Sequence, residues 1–203
     1  MNRATRQEIF RRLRAANPHP ATELNYGNPF QLLVAVILSA QSTDVGVNKA
    51  TQALFKKVKT PRAMLKLGEA GLKEHIKTIG LFNTKAKNII KTCALLVERH
   101  GGKVPEERAA LEALPGVGRK TANVVLGAAF GIPGVVVDTH VKRITGRLGL
   151  TEHTDPVKIE YDLMAIVPKR SWNTFGLQLI HFGRDVCHAR KPACPECPLK
   201  RLC

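Results

Sequence analysis

LPGVGRKTA, Leu114–Ala122, is the stretch whose reading decides how this 203-residue chain is built. Two glycines flank Val117, and because neither carries a Cβ the backbone can turn sharply there and approach a ligand closely. Helical spacing runs from Glu106 to Leu114 before the turn and from Arg119 to Phe130 after it. A helix that starts straight out of so short a turn exposes its first N–H groups and its positive dipole end. That geometry suits a grip on a phosphate by backbone amides, which makes Leu114, Gly116, Val117, Gly118 and Arg119 candidate contacts to a nucleic-acid backbone. An ordinary helix–turn–helix corner is the bland alternative, and it leaves the trailing Arg119, Lys120 and Thr121 without a purpose.

Lys120 falls in the first turn of the second helix, where the dipole disfavours a cation. Two readings stay open. The side chain neutralises a phosphate, or it is a nucleophilic amine whose pKa is lowered by the dipole, by Arg119 and by any burial. VDTH, Val137–His140, offers a partner in Asp138. Its plain reading is a helix N-cap. A capping carboxylate is held ionised, which suits electrostatic stabilisation of a positive transition state better than proton abstraction.

Outward from the hairpin the pattern is helix after helix. Arg3 to Ala16 carries Ile9, Phe10 and Leu13 on one stripe before Pro18 and Pro20 end it. Asn28-Pro29 opens Phe30 to Ala40, apolar nearly all round and therefore expected to be central. Asp44 is expected to cap Val45 to Lys57, Thr60-Pro61 to open another helix, and Glu69 to Ile79 to end at Gly80. Thr84 is expected to cap a helix that runs to His100 and closes at Gly101-Gly102. Asp138, Asp155-Pro156 and Ser171 open the rest. Val135 to Val137 alone is strand-like, and it is too short for a sheet. The fold class is all-α.

Four of the five cysteines crowd the C-terminus as Cys187, Cys194, Cys197 and Cys203, spaced C-x6-C-x2-C-x5-C. Thiolates so placed can wrap a tetrahedral zinc or the irons of a cubane cluster, and a single CxxC pair favours iron–sulfur. Arg190 and Lys191 lie between the first two as a basic loop, either solvated or touching nucleic-acid backbone. Cys93, inside a helical pattern, reads as a buried thiol.

Lys and Arg number 32 against 16 Asp and Glu, a formal net charge of +16. An excess of that size implies a polyanionic partner, because basic side chains gain affinity by releasing counterions from phosphates. Aromatic residues, at 5%, are too few for a surface that stacks successive bases. The basic start lacks the apolar stretch of a signal peptide, and the run Phe30 to Ala40 is shorter than the roughly 20 residues that span a bilayer. The expectation is a cytoplasmic chain, nucleoid-associated if bacterial, with reduced thiols and no membrane partner.

SAQSTD (Ser39–Asp44), GLF (Gly80–Phe82), LPGVGRKTA, VDTH and the four-cysteine pattern together resemble the endonuclease III family, bifunctional glycosylases and abasic-site lyases of the helix-hairpin-helix superfamily. The resemblance runs from the N-terminus to Cys203. It implies a two-domain helix-hairpin-helix glycosylase fold with a C-terminal iron–sulfur cluster loop. Residues 21–131 would form a six-helix domain carrying the hairpin, and residues 1–20 with 132–203 a discontinuous helical domain holding a 4Fe-4S cluster on Cys187, Cys194, Cys197 and Cys203. Lys120 matches the family's Schiff-base lysine and Asp138 its essential aspartate. Gln41 and Leu81 match residues that fill and wedge the duplex when a nucleotide is extruded, and His140 joins the DNA-contacting set. The implied partner of this expected monomer is double-stranded DNA with a damaged pyrimidine or an abasic site. Family chains usually continue past the last cysteine, whereas this one ends on it, either a naturally short tail or a trimmed one, and the expectation is that fraying there would weaken cluster retention.

Two rival readings remain. An adenine-mismatch glycosylase of the same superfamily would share the hairpin, aspartate and cluster but normally lacks a lysine at position 120. A non-catalytic DNA-binding module would explain charge and glycines while leaving Lys120, Asp138, Gln41 and Leu81 as coincidences.

Overall fold

The computed structural model describes residues 2–203. Ten α-helices appear among them: α1 (Arg3–Ala16), α2 (Pro29–Ser39), α3 (Asp44–Lys57), α4 (Pro61–Ile76), α5 (Phe82–His100), α6 (Arg108–Glu112), α7 (Arg119–Phe130), α8 (Thr139–Arg147), α9 (Pro156–Ile166) and α10 (Trp172–Asp185). No strand is present among the described residues, so the chain is all-α and Val135–Val137 is buried irregular backbone. The chain divides into two compact units, Glu23–Gly131 and the N-terminal segment up to Thr22 together with Ile132–Cys203.

In the unit Glu23–Gly131, α2 is the core. Every residue from Phe30 to Leu38 is buried, and α3, α5 and α7 pack around it. Its start is set locally: Asn28 Oδ1 accepts the Gln31 amide at 2.9 Å and Pro29 supplies the first helical residue. Gln31 is a buried amide whose three bonds are all made. Its Nε2 donates to the carbonyls of Phe55 at 2.8 Å and Val58 at 3.0 Å, and its Oε1 accepts the Gly27 amide at 2.8 Å. The polar group therefore ties α2 to the end of α3.

Several helix starts differ from the sequence expectation. Thr43, not Asp44, caps α3 by accepting the Gly46 amide, and Asp44 becomes a first-turn acid at the positive dipole end. The expected break before Glu69 is present: α4 is two helical pieces joined at Gly68, whose φ of 75° and ψ of 171° are not helical and are adopted easily only by glycine. That helix stops at Ile76, and the Ile79 amide closes a final turn on the Ile76 carbonyl at 2.8 Å. Thr84 caps nothing. It is an exposed residue inside α5, whose cap position belongs to Leu81 in the left-handed region without a side-chain bond. Helix α6 is shorter at both ends than Glu106 to Leu114.

The other unit is built on α10. Helix α1 packs along it through Phe10 and Phe175, rings edge-on at 4.9 Å, and Gln178 Nε2 donates to the Asn17 carbonyl at 2.8 Å. On another side α10 carries glycines where neighbours come close. A Cβ at Gly176 would lie 3.3 Å from the Val136 amide nitrogen, and one at Gly183 would lie 2.8 Å from His140 Cβ. Backbone of α10 thus lies directly against the Val135–Val137 segment and α8.

Cys93 in α5 is fully buried, and burial pushes its thiol up to about 12. Iodoacetamide at pH 8 is expected to leave Cys93 unmodified in native protein and to alkylate it after unfolding, as read by peptide mass spectrometry. Native-state labelling at the rate of a free thiol would contradict that burial.

Candidate functional site

The hairpin turn is anchored from below. Leu114 and Val117 are buried, so their side chains belong to the core and only their backbone is available to a ligand. Both amides are already used, Leu114 on the Leu111 carbonyl at 3.0 Å and Val117 on the Leu114 carbonyl at 3.1 Å. Thr92 of α5 donates to the Pro115 carbonyl at 3.0 Å. Gly116 is needed twice: its φ is 81°, and a Cβ would stand 3.3 Å from Asn88 and 3.4 Å from Ile37 Cγ2. Beyond it, the amides of Gly118, Lys120 and Thr121 make no hydrogen bond among the described residues, leaving the α7 N-terminus open to an anion. Lys120 projects from the second residue of α7. It is exposed and has no hydrogen bond or ion pair among the described residues. Arg119 beside it is half-buried.

In the same unit, Gln41 and Leu81 are exposed and both left-handed, with φ of 55° and 59°. Leu81 leaves 62% of its surface in solvent, a large exposed apolar side chain on a constrained turn. Left-handed backbone at a non-glycine costs of order 1–3 kcal/mol and persists where surrounding contacts hold it. The third non-glycine residue of this kind is Lys191, φ 52°, in the loop between Cys187 and Cys194. All three are residues that the sequence reading assigns to DNA.

In the other unit, Asp138 caps α8: its Oδ1 accepts the Val141 amide at 2.8 Å, while the half-exposed carboxylate keeps its second oxygen unpartnered among the described residues. The approach to it is pinned by Asn173, whose Oδ1 accepts the Gly134 amide at 2.8 Å and whose Nδ2 donates to the Ile132 carbonyl at 3.2 Å. His140 is half-buried, with Nδ1 3.1 Å from Arg143 Nη2.

Cys187, Cys194, Cys197 and Cys203 line one apolar cavity of about 140 Å³ whose other walls include Ile144, Leu148, Phe182 and Leu199. Burial pushes the Cys197 thiol up, the Leu199 backbone opposes that rise with a hydrogen bond, and the three neighbouring thiols add to it. Among the described residues no three of His, Cys, Asp and Glu stand close enough to hold one metal ion. Tetrahedral zinc would draw its four sulfurs to about 3.8 Å of one another, given Zn–S bonds near 2.3 Å. Two arginines of α8 hold the loop. Arg143 Nη2 donates to the carbonyls of Cys187 at 2.8 Å and Gly183 at 3.1 Å, while Arg147 Nη1 meets Cys187 Sγ at 3.2 Å and the His188 carbonyl at 2.9 Å. From α1, Arg12 Nη1 donates to the Pro198 carbonyl at 2.7 Å. Arg190 and Lys191 remain exposed.

Residues 34–169 match the family model of the HhH-GPD superfamily of base excision DNA repair proteins. Endonuclease III of Haemophilus influenzae is 56% identical over 207 aligned positions, covering 100% of this chain and 96% of that protein. Endonuclease III of Escherichia coli K12 is 56% identical over 203, with the same coverage. The chain belongs to the endonuclease III family of the HhH-GPD superfamily. A solved non-covalent endonuclease III–DNA complex superposes with a TM-score of 0.95 at 44% identity, covering 100% of this chain and 95% of that one. A trapped endonuclease III–DNA covalent intermediate matches with the same TM-score and identity.

In this endonuclease III family member the roles of Arg143 and Arg147 escaped the sequence reading. Arg143 and Arg147 follow VDTH by about one and two helical turns, on one face of α8, but positive charge taken as DNA affinity conceals that signal. Gly183→Ala is expected to push α8 and α10 apart, since its Cβ would lie 2.7 Å from His140 Nδ1 and 2.9 Å from Ile144 Cδ1. The predicted loss is about 1–3 kcal/mol of stability by urea unfolding, and an unchanged midpoint would show that the two helices can slide apart freely.

Proposed function

We propose that this chain removes oxidised pyrimidines from duplex DNA and then cleaves the abasic site, acting as a bifunctional DNA glycosylase and lyase in base excision repair. The observation that carries the reading is Lys120: an exposed amine, unpartnered among the described residues, on the second residue of the helix that opens from LPGVG. A backbone phosphate held by the open amides of Gly118, Lys120 and Thr121 would bring the sugar of one nucleotide to that amine.

Chemistry of this kind needs the nucleotide out of the stack, at a cost of a few kcal/mol that is smallest for a poorly stacked lesion. Gln41 and Leu81, exposed on left-handed turns, would occupy the space left in the duplex. The Lys120 amine attacks C1′ as the bond from C1′ to the base breaks, and the base leaves with the bonding pair and takes up a proton. Asp138, held in place by its capping bond, stabilises positive charge on the sugar as the bond breaks. The sugar ring opens to an iminium on Lys120, which acidifies the C2′ protons. Loss of one of them expels the 3′ phosphate by β-elimination, and water then releases the enzyme from the product.

The four thiols line one cavity and can supply one sulfur to each iron of a 4Fe-4S cluster, which the single CxxC pair of the sequence favours over zinc. Bound there, it would supply a compact structural centre for the loop that presents Arg190 and Lys191 to the DNA backbone. Arg143 and Arg147 hold that loop from α8. Reduced thiols and a cluster of this type fit a cytoplasmic protein.

Borohydride trapping tests the central claim. Wild-type protein is expected to form a covalent adduct with duplexes carrying an abasic site or an oxidised pyrimidine. Lys120→Ala is expected to form none while still binding abasic DNA. Wild-type cleavage by that variant would remove Lys120 from the mechanism. For the cysteine loop, the purified protein is expected to be brown with about four irons per chain, and a colourless protein with one zinc would overturn the cluster.

A further inference from the structure

Lys85 is a charged residue in a place where charge is costly. It lies in the first turn of α5, only 6% of its surface is exposed, and burial pushes its pKa down. No carboxylate compensates it among the described residues. Its three ammonium hydrogens are instead matched by three acceptors: the Leu38 carbonyl at 2.8 Å, the Ala40 carbonyl at 2.6 Å and Ser42 Oγ at 3.1 Å. Two of these are carbonyls at the end of α2, the negative pole of that helix.

The bonds bracket Gln41, accepting on the residue before it and the residue after it. The backbone of Lys85 reaches the other left-handed residue, since its amide donates to the Leu81 carbonyl at 3.0 Å. The two turns also abut, because a Cβ at Gly80 would lie 3.7 Å from the Gln41 carbonyl oxygen. One side chain and its own amide therefore hold both exposed turns that carry non-glycine residues at positive φ in this unit. A helix end so close to the surface could be capped by water at little cost, since Ala40 and Gln41 are exposed. A buried ammonium adds a fixed spacing between the two turns that water would not.

We propose that Lys85 is a positioning residue that sets Gln41 and Leu81 in register with each other for entry into the duplex beside the extruded nucleotide. The inference rests on the reading of Gln41 and Leu81 given under Proposed function. Lys85 touches no DNA in this scheme and takes no part in bond breaking.

The test uses full-length Lys120→Ala protein, in which chemistry is blocked, and a duplex with 2-aminopurine opposite an abasic site. Fluorescence rises as the probe base unstacks. Adding Lys85→Met is expected to slow that rise by about tenfold or more, up to the roughly hundredfold that a 1 Å misplacement of an acting group costs, with the thermal midpoint and overall DNA affinity little changed. In the active background the same change should lower kcat for lesion excision and leave KM near wild type. Gln41→Ala and Leu81→Ala run alongside. If they blunt the rise and Lys85→Met does not, the Lys85 inference alone fails. If neither blunts it, the reading of Gln41 and Leu81 fails and takes the Lys85 inference with it. Should Lys85→Met unfold, Ser42→Ala removes a single acceptor and is expected to give a smaller slowing; a wild-type rise in that variant would overturn the proposal.

Discussion

A helix that is apolar on every side can exist in water only when other helices enclose it, and α2 imposes that demand on its whole unit. From Phe30 to Leu38 no face is left to solvent, so α3, α5 and α7 are held around it. The functional turns inherit their places from this enclosure. Ile37 lies against Gly116 of the hairpin, and the carbonyls of Leu38 and Ala40 receive Lys85. The turn that carries Gln41 begins where α2 stops being buried. A cavity anywhere along α2 would thus be felt at both the hairpin and the exposed turns, because packed interiors transmit displacement.

The charge of the chain does two jobs that composition cannot separate. A net of +16 suits a protein that meets phosphates, and Lys120, Arg190 and Lys191 are exposed as such a role needs. Yet Lys85, Arg12, Arg143 and Arg147 turn to backbone carbonyls of their own units. Guanidinium groups suit the cysteine loop because one planar fork can satisfy several carbonyls of an irregular backbone at once. A segment of little more than short 3-10 turns has few hydrogen bonds of its own, and cations supply donors that secondary structure would otherwise provide.

Non-glycine residues at positive φ mark the places where local preference yields. Gln41, Leu81 and Lys191 each adopt a backbone that a glycine would take more easily. Each is also a side chain with a task in the proposed reaction, which a glycine could not perform. Strain of this kind is consistent with side chains selected for what they reach rather than for the turn they occupy.

Much was legible from local pattern. Asn28-Pro29, Asp138 and Asp155-Pro156 open helices as their side-chain chemistry requires, and the spacing in LPGVGRKTA forces a turn whatever surrounds it. The amine of Lys120, the carboxylate of Asp138 and the four thiols are chemical facts of the sequence. Asp44 and Thr84 have local claims to cap that packing overrides: Thr43 caps α3, and α5 starts after a left-handed Leu81 with no side-chain cap. Only tertiary structure decided that Leu114 and Val117 turn inward, that the thiols surround a cavity, and that Lys85 is buried. Lys85 finds its acceptors 43 to 47 positions away and Arg143 finds Cys187 at 44. Local spacing carries no record of such partners, because they meet only after the apolar helices have closed.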